Sequence, residues 1–175
     1  MADARSRTPY VLPLVADARP GSANGDRPAS VYLYPGDWLA SADPLVVSTV
    51  LGSCVAVCLW DRETQSGGLN HFVLPYASQV DGAPCRFGPS AMEVLLAKVL
   101  ALGCERRNLT ARMFGGASQF APTSERVPIG AQNVAVATRF LEEAGLPLVE
   151  SQVGGTRGRR IVFSIATGNV SVKNL

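Results

Sequence analysis

Apolar and polar positions follow two rhythms along this chain, and the changes of rhythm mark its elements. Alternating or continuous β-branched and aromatic runs occur at Val31 to Tyr34, Leu45 to Val50, Val55 to Trp60 and Leu69 to Leu74. They recur at Leu109 to Phe114, Leu146 to Val153, Arg160 to Ile165 and Val170 to Lys173. Gly, Pro, Asn or Asp punctuate most of them, so each reads as a strand. Helical spacing appears twice. Met92, Leu95, Leu96, Val99 and Leu102 form one apolar stripe, with Ser90 and Glu93 as an S-x-x-E capping box and Gly103 as the stop. A second helix is predicted from Gln132 to Ala144, with Val134, Ala137, Leu141 and Ala144 inward and Gly145 and Pro147 ending it. The expected fold is α/β of the α+β type: mixed, largely antiparallel β-sheet layers with at least two packed helices.

Residues 1–30 lack periodicity and are rich in Pro, Gly, Arg, Asp and Ala, so they read as a flexible N-terminal extension. The remainder, 31–175, is expected to be one domain. With 47% hydrophobic and 17% charged residues, the chain has the composition of a globular protein. A formal net charge of +2 excludes a strong nucleic-acid footprint. The one basic cluster, Arg157, Arg159 and Arg160, lies in a Gly-rich segment and reads as a solvated turn.

The apolar stretch from Tyr10 to Ala16 is short and broken by Pro13, and nothing approaches the roughly 18 apolar residues of a membrane span. The expectation is a cytoplasmic protein without membrane insertion, its four cysteines reduced. Cys54, Cys58, Cys85 and Cys104 contain no C-x-x-C pair, and His71 is the only histidine, so neither a metal nor another cofactor is expected. Cys58 and Cys104 read as small core residues, and Cys85 as part of a polar loop.

Candidate chemistry concentrates at Gly52-Ser53-Cys54 and His71. Gly67 and Gly68 are read as reversing the chain between two strands. If Asp61 pairs with Ser66, His71 faces Ala56 across the ladder, and Cys54 is its diagonal neighbour on the same face. A slip by one residue would put thiol and imidazole on opposite faces. Together they suit covalent acyl transfer, with the thiolate as nucleophile and the imidazole as base. Backbone N–H groups around Gly52 and Ser53 suit a developing oxyanion. The hydroxyls of Ser48 and Thr49 are both candidates to orient the imidazole. Taken alone, a cysteine in an apolar run is more often a core residue and a histidine in a strand more often a hydrogen-bonded structural one.

The segment Thr49-Val50-Leu51-Gly52-Ser53-Cys54-Val55-Ala56-Val57-Cys58, followed by Gly67-Gly68-Leu69-Asn70-His71-Phe72-Val73-Leu74-Pro75, closely resembles the CheD family of chemoreceptor glutamine deamidases. Further matches follow at Phe114-Gly115-Gly116-Ala117, Ile129 to Val134, Gly154 to Arg159 and Thr167-Gly168, so the resemblance spans about residues 31 to 173. It implies a domain similar to toxin-type cysteine deamidase domains and hydrolysis of receptor glutamine side chains to glutamate with release of ammonia. By motif position Cys54 would be the nucleophile, His71 its base, and Ser48 or its neighbour Thr49 the third residue. The implied partners are the cytoplasmic helices of chemoreceptors and a CheC-type phosphatase. Two competing readings are a cysteine protease or transglutaminase, and a non-catalytic chemotaxis regulator that binds such a phosphatase or receptors.

Overall fold

Along β3 (Val46–Leu51), Val47, Thr49 and Leu51 are buried while Val46, Ser48 and Val50 face the other way, as the period of two requires. The computed structural model describes residues 28–77, 84–118 and 127–175. Within them β3 lies in a four-stranded sheet of order β1-β3-β8-β9, formed with β1 (Ser30–Tyr32), β8 (Arg159–Ser164) and β9 (Val170–Asn174). A five-stranded sheet has the order β2-β5-β4-β6-β7. Its strands are β2 (Trp38–Ser41), β4 (Val55–Asp61), β5 (Ser66–Asn70), β6 (Leu109–Gly115) and β7 (Leu148–Val153). Only the edge pairs β1–β3 and β6–β7 are parallel. The expected α+β architecture of mixed, mostly antiparallel sheets with two helices is what the chain forms.

Two cores explain the layering. Leu33, Val47, Leu51, Ala56, Cys58, Leu69, Phe114, Ile161, Phe163 and Ile165 fill the space between the sheets. Val55, Val57, Leu59 and Phe72 face the opposite way, against α1 (Gly88–Ala101) and α2 (Ile129–Glu143). Strand β4 is therefore covered on both faces, which is why Val55 to Leu59 is an unbroken apolar run rather than an alternation. The chain leaves the first sheet at Leu51 and enters the second at Val55. Residues 52–54 are the crossover, and Cys54 stands at the corner between the two layers.

Several sequence expectations need correction. Ser90 does not cap α1: the helix begins at Gly88 after Phe87, without a side-chain cap. Pro89 explains the earlier start, because its fixed φ and missing N–H suit a first helical turn. Leu102 is the C-cap and is exposed rather than part of the stripe. Helix α2 starts at Ile129 instead of Gln132, and its buried face includes Asn133 and Val136, which the predicted stripe left out. Gly67 and Gly68 lie inside β5, and the reversal is made by residues 62–65. A Cβ at either glycine would overlap the carbonyl of Leu59 or Leu39, so their smallness serves strand packing instead of turning. Trp38–Ser41 is a strand that the pattern did not reveal. Cys58 and Cys104 are buried as expected, whereas Cys85 is half-buried beside the helical core. The expected extension at 1–30 falls mostly outside the described residues.

Candidate active site

Strands β4 and β5 adopt the register in which thiol and imidazole share a face. Asp61 pairs with Ser66 and Cys58 with Leu69, and the Val55–Phe72 bridge continues the same ladder. His71 thus lies opposite Ala56, with Cys54 diagonal to it on the face toward the other sheet. The backbone around His71 is held on both sides. Its N–H donates to Asp37 O at 2.9 Å, and its carbonyl accepts from Gly36 N at 2.7 Å. Just before it, the Asn70 side chain enters the ladder: Oδ1 accepts the Val57 N–H at 2.9 Å, and Nδ2 reaches Met92 Sδ. The carboxamide thereby stands in for a backbone carbonyl where β5 ends.

Across the sandwich, Thr49 Oγ1 lies 2.8 Å from His71 Nδ1 and 2.8 Å from Leu33 O. A carbonyl only accepts, so the single hydroxyl proton goes to Leu33. The Thr49 oxygen then accepts from Nδ1–H. This fixes the tautomer and leaves the lone pair on Nε2. That nitrogen is buried and has no hydrogen-bond partner. Burial pushes the His71 pKa down to about 4, opposed by its link to the Leu33 backbone, so the ring is neutral at pH 7. Ser48 lies on the opposite face of β3, beside Tyr32 and Val162 in the neighbouring strands. Of the two candidate hydroxyls, the structure brings only that of Thr49 to the imidazole.

Cys54 is half-buried and lines an open cleft of about 440 Å³ with Gly52, Ser53, Ser118 and the first residues of α2. Burial raises its thiol pKa above the ordinary value, partly offset by its own backbone N–H and by the Arg86 charge. A neutral thiol and a neutral imidazole therefore form the resting pair. The thiol does not hydrogen-bond Nε2 in this arrangement, and catalytic hydrogen bonds commonly tighten only around substrate.

Each carbonyl of the crossover is taken. Gly52 O accepts from Ala117 N and Cys54 O from Gly116 N, both at 2.8 Å. Ser53 O accepts from Asn133 Nδ2 at 2.9 Å. Gly115 makes this approach possible: its φ is 108°, and a Cβ there would overlap the Cys54 carbonyl. Gly52, by contrast, has open space around its Cα and no positive φ, so the demand for glycine falls on the facing strand. Arg159 is not solvated as its Gly-rich setting suggested. It is 8% exposed and donates to the carbonyls of Gly115, Gln152 and Gly154. Those carbonyls need a multivalent donor where the two glycine turns meet, and guanidinium supplies it. Arg157, in contrast, is exposed at the surface.

This chain is similar to known proteins. A family model described as CheD chemotactic sensory transduction matches residues 73–174. A probable chemoreceptor glutamine deamidase CheD of Trichlorobacter lovleyi is 42% identical over 79% of this chain and 86% of its own length. The chain belongs to the CheD family. A like-named protein of Anaeromyxobacter dehalogenans is 39% identical over 91% of this chain and 96% of its own, and one of Caulobacter vibrioides 43% over 83% and 78%. The family model begins after both Cys54 and His71, whereas the stretches matched by these relatives are long enough to cover both positions. Among the described residues of this CheD chain, no helix is long and apolar enough to cross a membrane, and no three His, Cys, Asp or Glu form a metal-binding group.

Sequence reasoning missed Asn133, Asn70 and Arg159 at this site. Two of them carried a signal. Asn133 lies four and eight residues before Ala137 and Leu141, a polar residue on the apolar stripe. Arg159 shares the parity of Ile161 and Phe163, the inward face of β8. Asn70 offered none, because a polar residue at a strand end is ordinary.

Proposed function

We propose that this chain hydrolyses the side-chain amide of chemoreceptor glutamines to glutamate, releasing ammonia. The observation that carries the reading is the His71 ring, held through Nδ1 by Thr49 with a free Nε2 lone pair on the face of Cys54. The names borne by the CheD relatives supply the substrate.

In the proposed reaction Nε2 takes the Cys54 proton as sulfur attacks the carboxamide carbon. The C=O pair moves to oxygen, giving a tetrahedral oxyanion. The imidazolium then protonates nitrogen, the C–N bond breaks, and ammonia leaves a thioester. Water, deprotonated by Nε2, attacks that thioester, and the sulfur leaves and regains the proton. One amide and one water become one carboxylic acid and one ammonia. Thr49 keeps the ring oriented through both half-reactions.

The substrate would reach the cleft beside Cys54 from the receptors' cytoplasmic helices, which places the reaction in the cytoplasm. We extend the proposal to a catalytic domain over 31–175 and to a CheC-type phosphatase as binding partner, the latter resting on family resemblance alone. The test is mass spectrometry of a glutamine-bearing receptor cytoplasmic fragment incubated with the protein. The expected result is conversion of glutamine to glutamate by the wild type and none by Cys54→Ala. Peptide cleavage, amine incorporation or undiminished conversion by Cys54→Ala would overturn it.

A further inference from the structure

The reaction above needs a donor at the developing oxyanion, and the crossover raises the question of what aims one there. Asn133 projects from α2 and is fully buried. Its Nδ2 donates to Ser53 O and to Val73 O, each at 2.9 Å. Ser53 directly precedes the cysteine, and Val73 is the residue opposite Cys54 across the β4–β5 ladder. One carboxamide thus ties the nucleophile turn to the strand that carries His71. Its Oδ1 is buried without a partner, a cost that an apolar residue at this position would avoid.

The peptide geometry gives this clamp a consequence. Across a trans peptide, C=O and N–H point in opposite directions, and the described residues contain no cis bond. With Ser53 O drawn toward Asn133, the Cys54 N–H is turned away from α2's interior side. Among the described residues no backbone carbonyl takes that N–H. It lies close enough to its own sulfur to stabilise the thiolate. Gly52 O and Cys54 O are pinned by Ala117 and Gly116, so the flanking peptides cannot rotate to compensate.

We infer that Asn133 is a positioning residue: by holding Ser53 O it sets the plane of the Ser53–Cys54 peptide and presents the Cys54 N–H as the oxyanion donor. The inference rests on the deamidase reading for its catalytic consequence, while its geometric part concerns the thiol alone.

The test compares wild type, Asn133→Ala and Asn133→Ser in the full chain, well below their melting temperatures. Three readouts are the kcat and KM for a receptor cytoplasmic fragment, the pH profile of Cys54 alkylation by iodoacetamide, and the melting temperature. Asn133→Ala should lower kcat by about tenfold to a hundredfold with KM changed less than about threefold. Alkylation of Cys54 should slow at fixed pH, its profile displaced to higher pH, because the thiolate loses a donor. Asn133→Ser is too short to span both carbonyls and should behave likewise, which keeps the test open if the alanine variant fails to fold. An unchanged kcat overturns the inference, and so does a kcat loss with an unmoved alkylation profile. If the wild type deamidates nothing, the deamidase reading falls, and the alkylation profile alone decides the role of Asn133.

Discussion

Thr49 offers His71 an uncharged partner, which leaves burial to set the acidity of the ring. A carboxylate would stabilise the imidazolium and lift the ring's pKa, whereas a hydroxyl only fixes its tautomer. With Thr49 as the proposed orienting residue, Thr49→Val should lower kcat on the order of 10²-fold, and Ser48→Ala should change it less than about threefold. Steady-state kinetics on a receptor fragment decides; the reverse order would return the role to Ser48. Burial of the neutral ring also links folding to pH. An unfolded His71 titrates near its ordinary 6.5, the folded one at about 4. Between these values the unfolded state binds more protons, so stability falls as pH drops from 6.5 toward 4. The melting temperature of wild type should decline more steeply across that window than that of His71→Asn. Equal slopes would contradict the buried neutral ring. The choice between Ser48 and Thr49 was not legible in the sequence. Val46, Val47, Val50 and Leu51 put apolar residues on both faces of β3, so hydropathy could not phase the strand. Only the contact with His71 does.

At the scale of elements, the nucleophile's turn owes its shape to the strand it packs against. Gly115→Ala should destabilise the protein by more than about 1 kcal/mol, because it combines a φ of 108° with overlap on the Cys54 carbonyl. Gly52→Ala should leave the melting temperature unchanged or slightly raised. Thermal denaturation of both variants checks the pair, and a Gly52→Ala collapse paired with a benign Gly115→Ala would refute this account. The β4–β5 register was not fixed by the sequence, which allowed a one-residue slip; of the two phases, the ladder adopts the one that pairs Asp61 with Ser66, and the Cys54–His71 relation follows from it. The helix starts were not legible either. In both helices a proline stands at or beside the first residue, where the expected Ser90 cap of α1 and the expected Gln132 start of α2 were not realised, and each helix begins earlier in the chain. Asn133 faces inward because it shares the stripe of Ala137 and Leu141, whichever residue begins α2.

For the molecule as a whole, the sequence disclosed the layers better than the corners. Apolar runs and stripes show where most strands and helices lie and, in the helices, much of the buried face. They do not show that residues 52–54 carry the chain from one sheet to the other, because that depends on partners distant in sequence such as Gly116, Ala117 and Asn133. The corner gives Cys54 a half-buried place where burial outweighs the Arg86 charge. Its thiol should therefore alkylate slowly at pH 7 and keep gaining rate above pH 9, as followed by peptide mapping that separates it from Cys85. A plateau already reached near pH 6 would mean a resting thiolate–imidazolium pair and sink the neutral picture. The same neutrality has a bearing on survival under oxidative stress. Peroxide attacks the sulfur anion, and a sulfur that keeps its proton until a carboxamide arrives presents little of it. An enzyme built this way would stay active in a cell whose exposed, acidic thiols had already been converted to sulfenic acids.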